Sequence, residues 1–97
     1  MAQFDIYRLA DGRHLVDLQS DLIELTGSRL VAPMIRLSPR LNVSRLTPAL
    51  RHDDRDWIVI VPQMAGIPAR GLGPAVGSAA DWRDDLFAAI DLLTHGF

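Results

Sequence analysis

The stretch Trp57-Ile58-Val59-Ile60-Val61 decides the fold class, because it is the clearest strand in the chain. Aromatic and β-branched residues favour the pleated surface of a sheet. The stretch is apolar at every position rather than at alternate ones, so both of its faces are predicted to be buried. We therefore expect a central strand here. The polar residues 53–56 immediately before it predict a turn.

Further strands are predicted on both sides of this stretch. Residues 4–9 and 15–19 read as a pair of strands, joined by Asp11-Gly12, whose residue types favour a type I′ turn. Residues 29–37 read as a longer strand, in which Pro33 lacks a backbone donor and so indicates an edge, a bend or a bulge. The other expectations are a short strand within 63–68, an ambiguous stretch at 43–52 and a loop at 70–77.

The last part of the chain has a helical pattern. Ser78 and Asp81 match a capping box, and Gly96 favours the end of a helix. Apolar residues recur at helical spacing between these signals and are expected to pack on the core: Trp82, Leu86, Ile90 and Leu93. Strands followed by one C-terminal helix predict an α+β fold, built on a small twisted sheet or a partly closed barrel.

The composition is that of an ordinary globular domain. The length of 97 residues predicts one domain over 1–97, and 48% hydrophobic with 23% charged residues disfavours disorder. The chain has no cysteine, which excludes disulfides and thiolate zinc sites and favours a reducing compartment. The first residues show no secretory signal, and no apolar run is long enough to span a membrane. We therefore expect a cytoplasmic protein.

Charge and histidine spacing argue against two further classes of site. The net charge is −2, and the ten arginines are scattered, with no lysine, so a general nucleic-acid-binding surface is disfavoured. Three neighbouring acidic residues are predicted to be a solvated turn rather than a calcium or acid–base site: Asp53, Asp54 and Asp56. The histidines share no metal-ligand spacing, so neither a metal nor a cofactor is expected: His14, His52 and His95.

Several segments, in the same order along the chain, resemble the CcdB family of bacterial toxins. The most specific is residues 16–23, VDLQSDLI. The others are Gln3-Phe4 with Tyr7; Gly27, Arg29, Val31 and Pro33; Pro48, Asp54 and Trp57; Met64-Ala65, Ile67-Pro68 and 71–73; and the segment 85–97. The main difference in length is a shorter first hairpin at 9–13. The resemblance implies a five-stranded, SH3-like antiparallel barrel with a small extra sheet and a C-terminal α-helix.

The resemblance also implies a function. CcdB proteins are homodimers that bind the A subunit of DNA gyrase, trap its cleavage complex with DNA and are released by a CcdA-like antitoxin; they perform no catalysis. Five positions match the gyrase-contacting end of the family and are called the helix tip below: Asp91, Thr94, His95, Gly96 and Phe97. Leu22 and Ile23 match the helper positions. The residues expected to face a second copy are Ala88, Ala89 and Leu92.

The helix tip departs from the family pattern, which typically ends in Trp-Gly-Ile after an aromatic residue. Here His95 replaces the tryptophan and offers less area for stacking on an arginine, and Asp91 replaces an asparagine. Without the resemblance, the same residues indicate a frayed helix end with a favourable histidine. Two alternative functions stay open: an interaction protein that binds antitoxin and autoregulates its operon without poisoning gyrase, and a MazF-like endoribonuclease using His52 with Arg51.

Overall fold

The computed structural model describes residues 2–21 and 27–96. The elements are β1 (Asp5–Arg8), β2 (His14–Asp17), β3 (Ser28–Arg36), β4 (Ala49–His52), β5 (Arg55–Val59), β6 (Ala65–Pro68), β7 (Gly77–Ser78) and the helix α1 (Arg83–His95). Within the described residues, the seven strands form one antiparallel sheet in the order β4-β5-β3-β2-β1-β7, and β6 also pairs with β3. The predicted α+β class, with a barrel-like sheet and a C-terminal helix, is confirmed.

Strand β3 organises the sheet because it pairs along both of its edges. One edge pairs with β2, and the other pairs first with β6 and then with β5. Pro33 lies at the point where β3 changes partner from β6 to β5, and its carbonyl accepts the Ile60 N–H at 2.8 Å. Of the three alternatives predicted for Pro33, an edge, a bend or a bulge, the edge position is wrong. The missing donor is tolerated inside the sheet because it falls at the junction of two ladders.

The sheet closes almost completely where β7 passes β4. Gly77 pairs with Ile6 of β1, and a Cβ on Gly77 would lie 2.7 Å from Cε1 of His52. Glycine is required there because any side chain would meet the imidazole ring. Strand β7 was not predicted, since its two residues depend on this tertiary contact rather than on a local pattern. The barrel encloses a core that includes Ile6, Val16, Met34, Val59 and Val61.

The type I′ geometry predicted for the first hairpin turn occurs in the turn between β4 and β5 instead. Gly12 is the only described residue in the first turn with positive φ, at 92°, so the predicted type I′ turn does not form there. The tight turn between β4 and β5 instead has Asp53 at φ 55° and Asp54 at φ 58°, as type I′ requires. Aspartate is one of the few residues with a side chain that visits this region.

The helix begins later than its sequence signals predict. Ser78 belongs to β7, and its hydroxyl accepts the Ala80 N–H at 3.2 Å, so it supports a short 3-10 turn over Ala80–Trp82 rather than capping α1. The predicted capping box with Asp81 is therefore wrong. The predicted end of the helix is correct, because Gly96 adopts φ 80° and its N–H donates to Leu92 O at 3.0 Å.

The helix packs on the barrel through its first half. Leu86 and Ala89 are fully buried, and Trp82 and Ile90 are partly buried against the same core. Leu93 is 38% exposed, so its predicted place in the core is wrong: it lies in the last turn, beyond the buried residues. No helix in residues 2–21 or 27–96 has the length and apolar character needed to cross a membrane.

Candidate functional site

The described part of the helix tip lies on the surface. Asp91, Thr94, His95 and Gly96 are all exposed, whereas Phe97 lies outside the described residues. The Thr94 hydroxyl donates to Ile90 O at 2.8 Å, and its oxygen lies 2.8 Å from Nδ1 of His95. A hydroxyl has only one proton, which Thr94 donates to Ile90 O, so Nδ1 of His95 is assigned as the donor to the Thr94 oxygen. Nε2 of a neutral His95 is then left as an acceptor that can meet a partner.

One exposed face of α1 leads to the helix tip. Residues three and four apart share a helix face, which groups Asp84, Ala88, Asp91 and His95. All four are exposed, and two of them are acidic. This face carries negative charge and suits a partner surface with positive charge.

An aromatic pair anchors the helix that carries this face. The rings of Phe4 and Phe87 meet edge to face, with centroids 5.2 Å apart. Phe4 is itself held at φ 71°, with its N–H donating to Asp17 O at 2.6 Å and its carbonyl accepting the Ala79 N–H at 2.7 Å. Phe4 is nearly buried, so the start of the chain fixes the helix against the barrel.

The three residues predicted to face a second copy occupy different environments. Ala88 is exposed and lines an open cleft of about 550 Å³ between α1 and residues 43–49. Leu92 is half-buried. Ala89 is fully buried in the core of its own chain, because its small side chain lets the helix approach the barrel closely. Ala89 therefore has no surface to offer a partner, and the prediction for this residue is corrected.

The residues flanking 22–26 are tied to the barrel by a buried ion pair. Nε of Arg29 donates to Oδ2 of Asp17 at 2.8 Å, and the Gln19 N–H donates to Oδ1 of Asp17 at 2.9 Å. The Asp17 side chain is 0% exposed and that of Arg29 is 12% exposed. The helper positions Leu22 and Ile23 lie outside the described residues, between Gln19 and Arg29 in the sequence.

The residues considered for an enzymatic site do not converge. Arg51 and His52 are neighbours in β4, so their side chains point to opposite faces of the sheet. Arg51 donates to Asp56 at 3.3 Å, whereas the ring of His52 lies against Gly77. In the described ranges, no group of three or more histidine or acidic side chains is arranged to hold a metal ion.

Sequence reasoning missed a cluster of rings at the seam of the barrel. His14 lies 4.5 Å from Trp57 and 5.9 Å from His52, measured between ring centroids, and the Arg36 guanidinium lies 5.7 Å from the centroid of Trp57. His52 and Trp57 belong to one hairpin, whereas His14 and Arg36 are distant from them in the chain. No spacing rule could group all four, because the pairing of the strands brings His14 and Arg36 to this hairpin.

The structure defines a small barrel-like protein whose C-terminal helix has an exposed last turn. A family model described as CcdB protein matches residues 3–96. The match spans almost the whole chain, so the chain belongs to the CcdB family, the toxins of a class of toxin–antitoxin systems. This family acts by poisoning a target rather than by catalysing a reaction.

Proposed function

We propose that this protein binds the A subunit of DNA gyrase through the helix tip and traps the complex in which gyrase has cut DNA. The observation that carries the proposal is the exposure of Asp91, Thr94, His95 and Gly96 at the end of a helix whose other half is locked into the barrel. These are the positions that match the family's gyrase-contacting end. An anchored helix with an exposed end can insert between two protein surfaces without unfolding its own core.

The proposed mechanism is a wedge and includes no chemical step by the toxin. Asp91 would pair with a basic group on gyrase, and His95 would stack on an arginine in the manner of the family tryptophan. Leu22, Ile23 and Phe97 would add apolar contacts. Binding to the cleaved state more tightly than to the resealed state shifts the population toward cleaved DNA.

The proposal includes three further assignments. The protein acts as a homodimer, with Ala88 and Leu92 nearest the second copy. A CcdA-like antitoxin neutralises it through a disordered arm that folds on binding. The site of action is the cytoplasm, where gyrase and its DNA substrate are found. Ala88 and Leu92 are four residues apart and therefore share one side of the helix, which supports the dimer assignment.

A plasmid cleavage assay tests the proposal. Purified protein, gyrase, supercoiled plasmid and ATP are expected to yield linear DNA after detergent and protease treatment. Deletion of residues 96–97 should abolish this product, because it removes the end of the helix tip while leaving Leu86 and Ala89 in the core. The matched control is Arg40→Ala, an exposed change outside the tip, which should cleave like the wild type. Equal cleavage by the deletion variant would refute the assignment of the tip.

A second candidate is an interaction protein that binds antitoxin but does not poison gyrase. The observation that favours it is the tip itself, where His95 stands in place of tryptophan and Asp91 in place of asparagine. A smaller ring loses stacking area on an arginine. Tight binding of antitoxin together with no cleavage by gyrase from several bacteria would support this candidate over the first.

A further inference from the structure

A polar cleft lies at the seam of the barrel, away from the helix tip. Its volume is about 400 Å³, and its lining residues come from β1, β2, β4, the tight turn and the segment before β7: Arg8, His14, His52, Asp53 and Val76. Two imidazole rings therefore share one cleft with a guanidinium group. No part of the proposed gyrase contact uses these residues.

The nitrogen atoms of this cleft have unused hydrogen-bonding capacity. Among the described residues, no carboxylate lies within ion-pair distance of Arg8. His14 is oriented by its own loop, since Nδ1 lies 3.0 Å from Gly12 O and donates to it. This bond leaves Nε2 as the second nitrogen of the ring, which becomes a donor when the ring is protonated. The ring of His52 is positioned by its packing on Gly77.

We propose that this cleft binds a tetrahedral dianion, of the sulfate or fully ionised phosphoryl type, with Arg8, His14 and His52 as the binding residues. Arginine offers a planar set of donors that matches phosphate oxygens. Protonated imidazole adds a charge-assisted donor, which is shorter and stronger than a neutral one. The two imidazole rings lie 5.9 Å apart, centroid to centroid, and both line the cleft, so an anion inside it is near both rings.

The charge of the cleft makes the proposed binding depend on pH. With His14 neutral, the positive charge of Arg8 and the negative charge of Asp53 cancel. Protonation of His14 adds one positive charge to the lining, which favours a bound dianion. Acidification therefore converts a neutral cleft into an anion site.

The surroundings of the His14 ring favour its uncharged form when no anion is bound. Burial lowers the pKa of His14, and the neighbouring His52 and Arg8 lower it further. The hydrogen bond to Gly12 O and the charge of Asp53 act in the opposite direction. The charged groups nearby are Arg36, which lies over Trp57, and Arg13, which is paired with Asp11 at 2.7 Å. A bound dianion would offset the cationic neighbours and draw a proton onto the ring.

The test is a titration of the full chain with sulfate at constant ionic strength, followed by NMR of the histidine ring protons at pH 5.5 and pH 7.5. Sulfate keeps both charges over this range, so any pH dependence comes from the protein. The dissociation constant is expected to be at least about tenfold lower at pH 5.5, because one unit charge about 5 Å from a dianion in water changes affinity by roughly that factor. An affinity that does not change with pH would overturn the proposal.

Two comparisons separate this site from general attraction between charges. Arg8→Ala should weaken sulfate binding at pH 5.5 by about tenfold, whereas Arg40→Ala removes the same charge from an exposed loop and should change nothing. At pH 5.5 sulfate should bind more tightly than methyl sulfate, which is also tetrahedral at sulfur but carries one charge. Equal losses in the two arginine variants, or equal binding of these two anions, would contradict a specific dianion site.

Discussion

The buried ion pair between Arg29 and Asp17 makes the sharpest stability prediction, through the substitution Arg29→Met. The Asp17 side chain is 0% exposed and also accepts the Gln19 N–H at 2.9 Å, so the variant removes the cation that neutralises a buried carboxylate. Removal of one partner of a buried pair costs about 3–5 kcal/mol. At about 4 °C or more per kcal/mol for a domain of this size, the melting temperature should fall by at least about 12 °C.

Urea unfolding of three variants measures this effect against matched controls. Arg51→Met breaks an ion pair of similar type, Arg51 with Asp56 at 3.3 Å, but both of its side chains are 60% exposed and the loss should stay below about 1 kcal/mol. The double variant Asp17→Asn/Arg29→Met should recover part of the loss, because no buried charge remains and the amide oxygen can still accept the Gln19 N–H. A loss in Arg29→Met no larger than in Arg51→Met would refute the reasoning.

Three further predictions concern pH dependence and helix packing. Burial and, to a smaller extent, the charge of Asp5 raise the pKa of Tyr7 from 10.0 to about 12. The stability that Tyr7 contributes is therefore complete below pH 10 and is lost as the pH rises toward 12. Tyr7→Phe should flatten this alkaline loss in a urea series, and an unchanged loss would contradict it. Burial lowers the pKa of His14 below 6.5, so the stability that His14 contributes is complete above pH 6.5 and is lost as the pH falls further. His14→Gln should make the loss of stability at acid pH shallower in the same urea series. An equally steep loss would exclude His14 as its source. Ala89→Gln should lose at least about 2 kcal/mol because it forces a polar group into a filled core. Ala75→Gln, the same change in an exposed loop, should change stability by less than about 0.5 kcal/mol, and similar losses by chemical denaturation would mean that Ala89 is not in the core.

Local residue patterns predicted most of the elements and few of their boundaries. The apolar stretch at residue 57 is buried at Trp57, Ile58 and Val59 in an internal strand, as its composition indicates. The start of the helix was misplaced because Ser78 had two possible partners, and pairing in β7 prevailed over capping of α1. The alternatives for Pro33 could not be narrowed from the sequence, because a change of strand partner is a property of the whole sheet.

The candidate site depended on the resemblance more than on residue chemistry. The helix tip looks like an ordinary helix end from its sequence alone, and only colinear similarity marks it as a contact surface. Ala89 was assigned to the wrong environment because a small apolar residue on a helix fits either a core or an interface. The ring cluster of His14, His52 and Trp57 was missed because its members meet only after the barrel closes.

The most direct test of the central claim is the affinity of the purified gyrase A subunit for the wild-type protein and for the variant lacking residues 96–97, measured by isothermal titration calorimetry. The account predicts binding by the wild type and a loss of at least about 100-fold in the variant, because residues at the centre of a contact carry most of its energy. The circular dichroism spectra and melting temperatures of the two proteins should agree closely. Equal affinity in two equally folded proteins would contradict the claim that the end of α1 is the gyrase-binding surface.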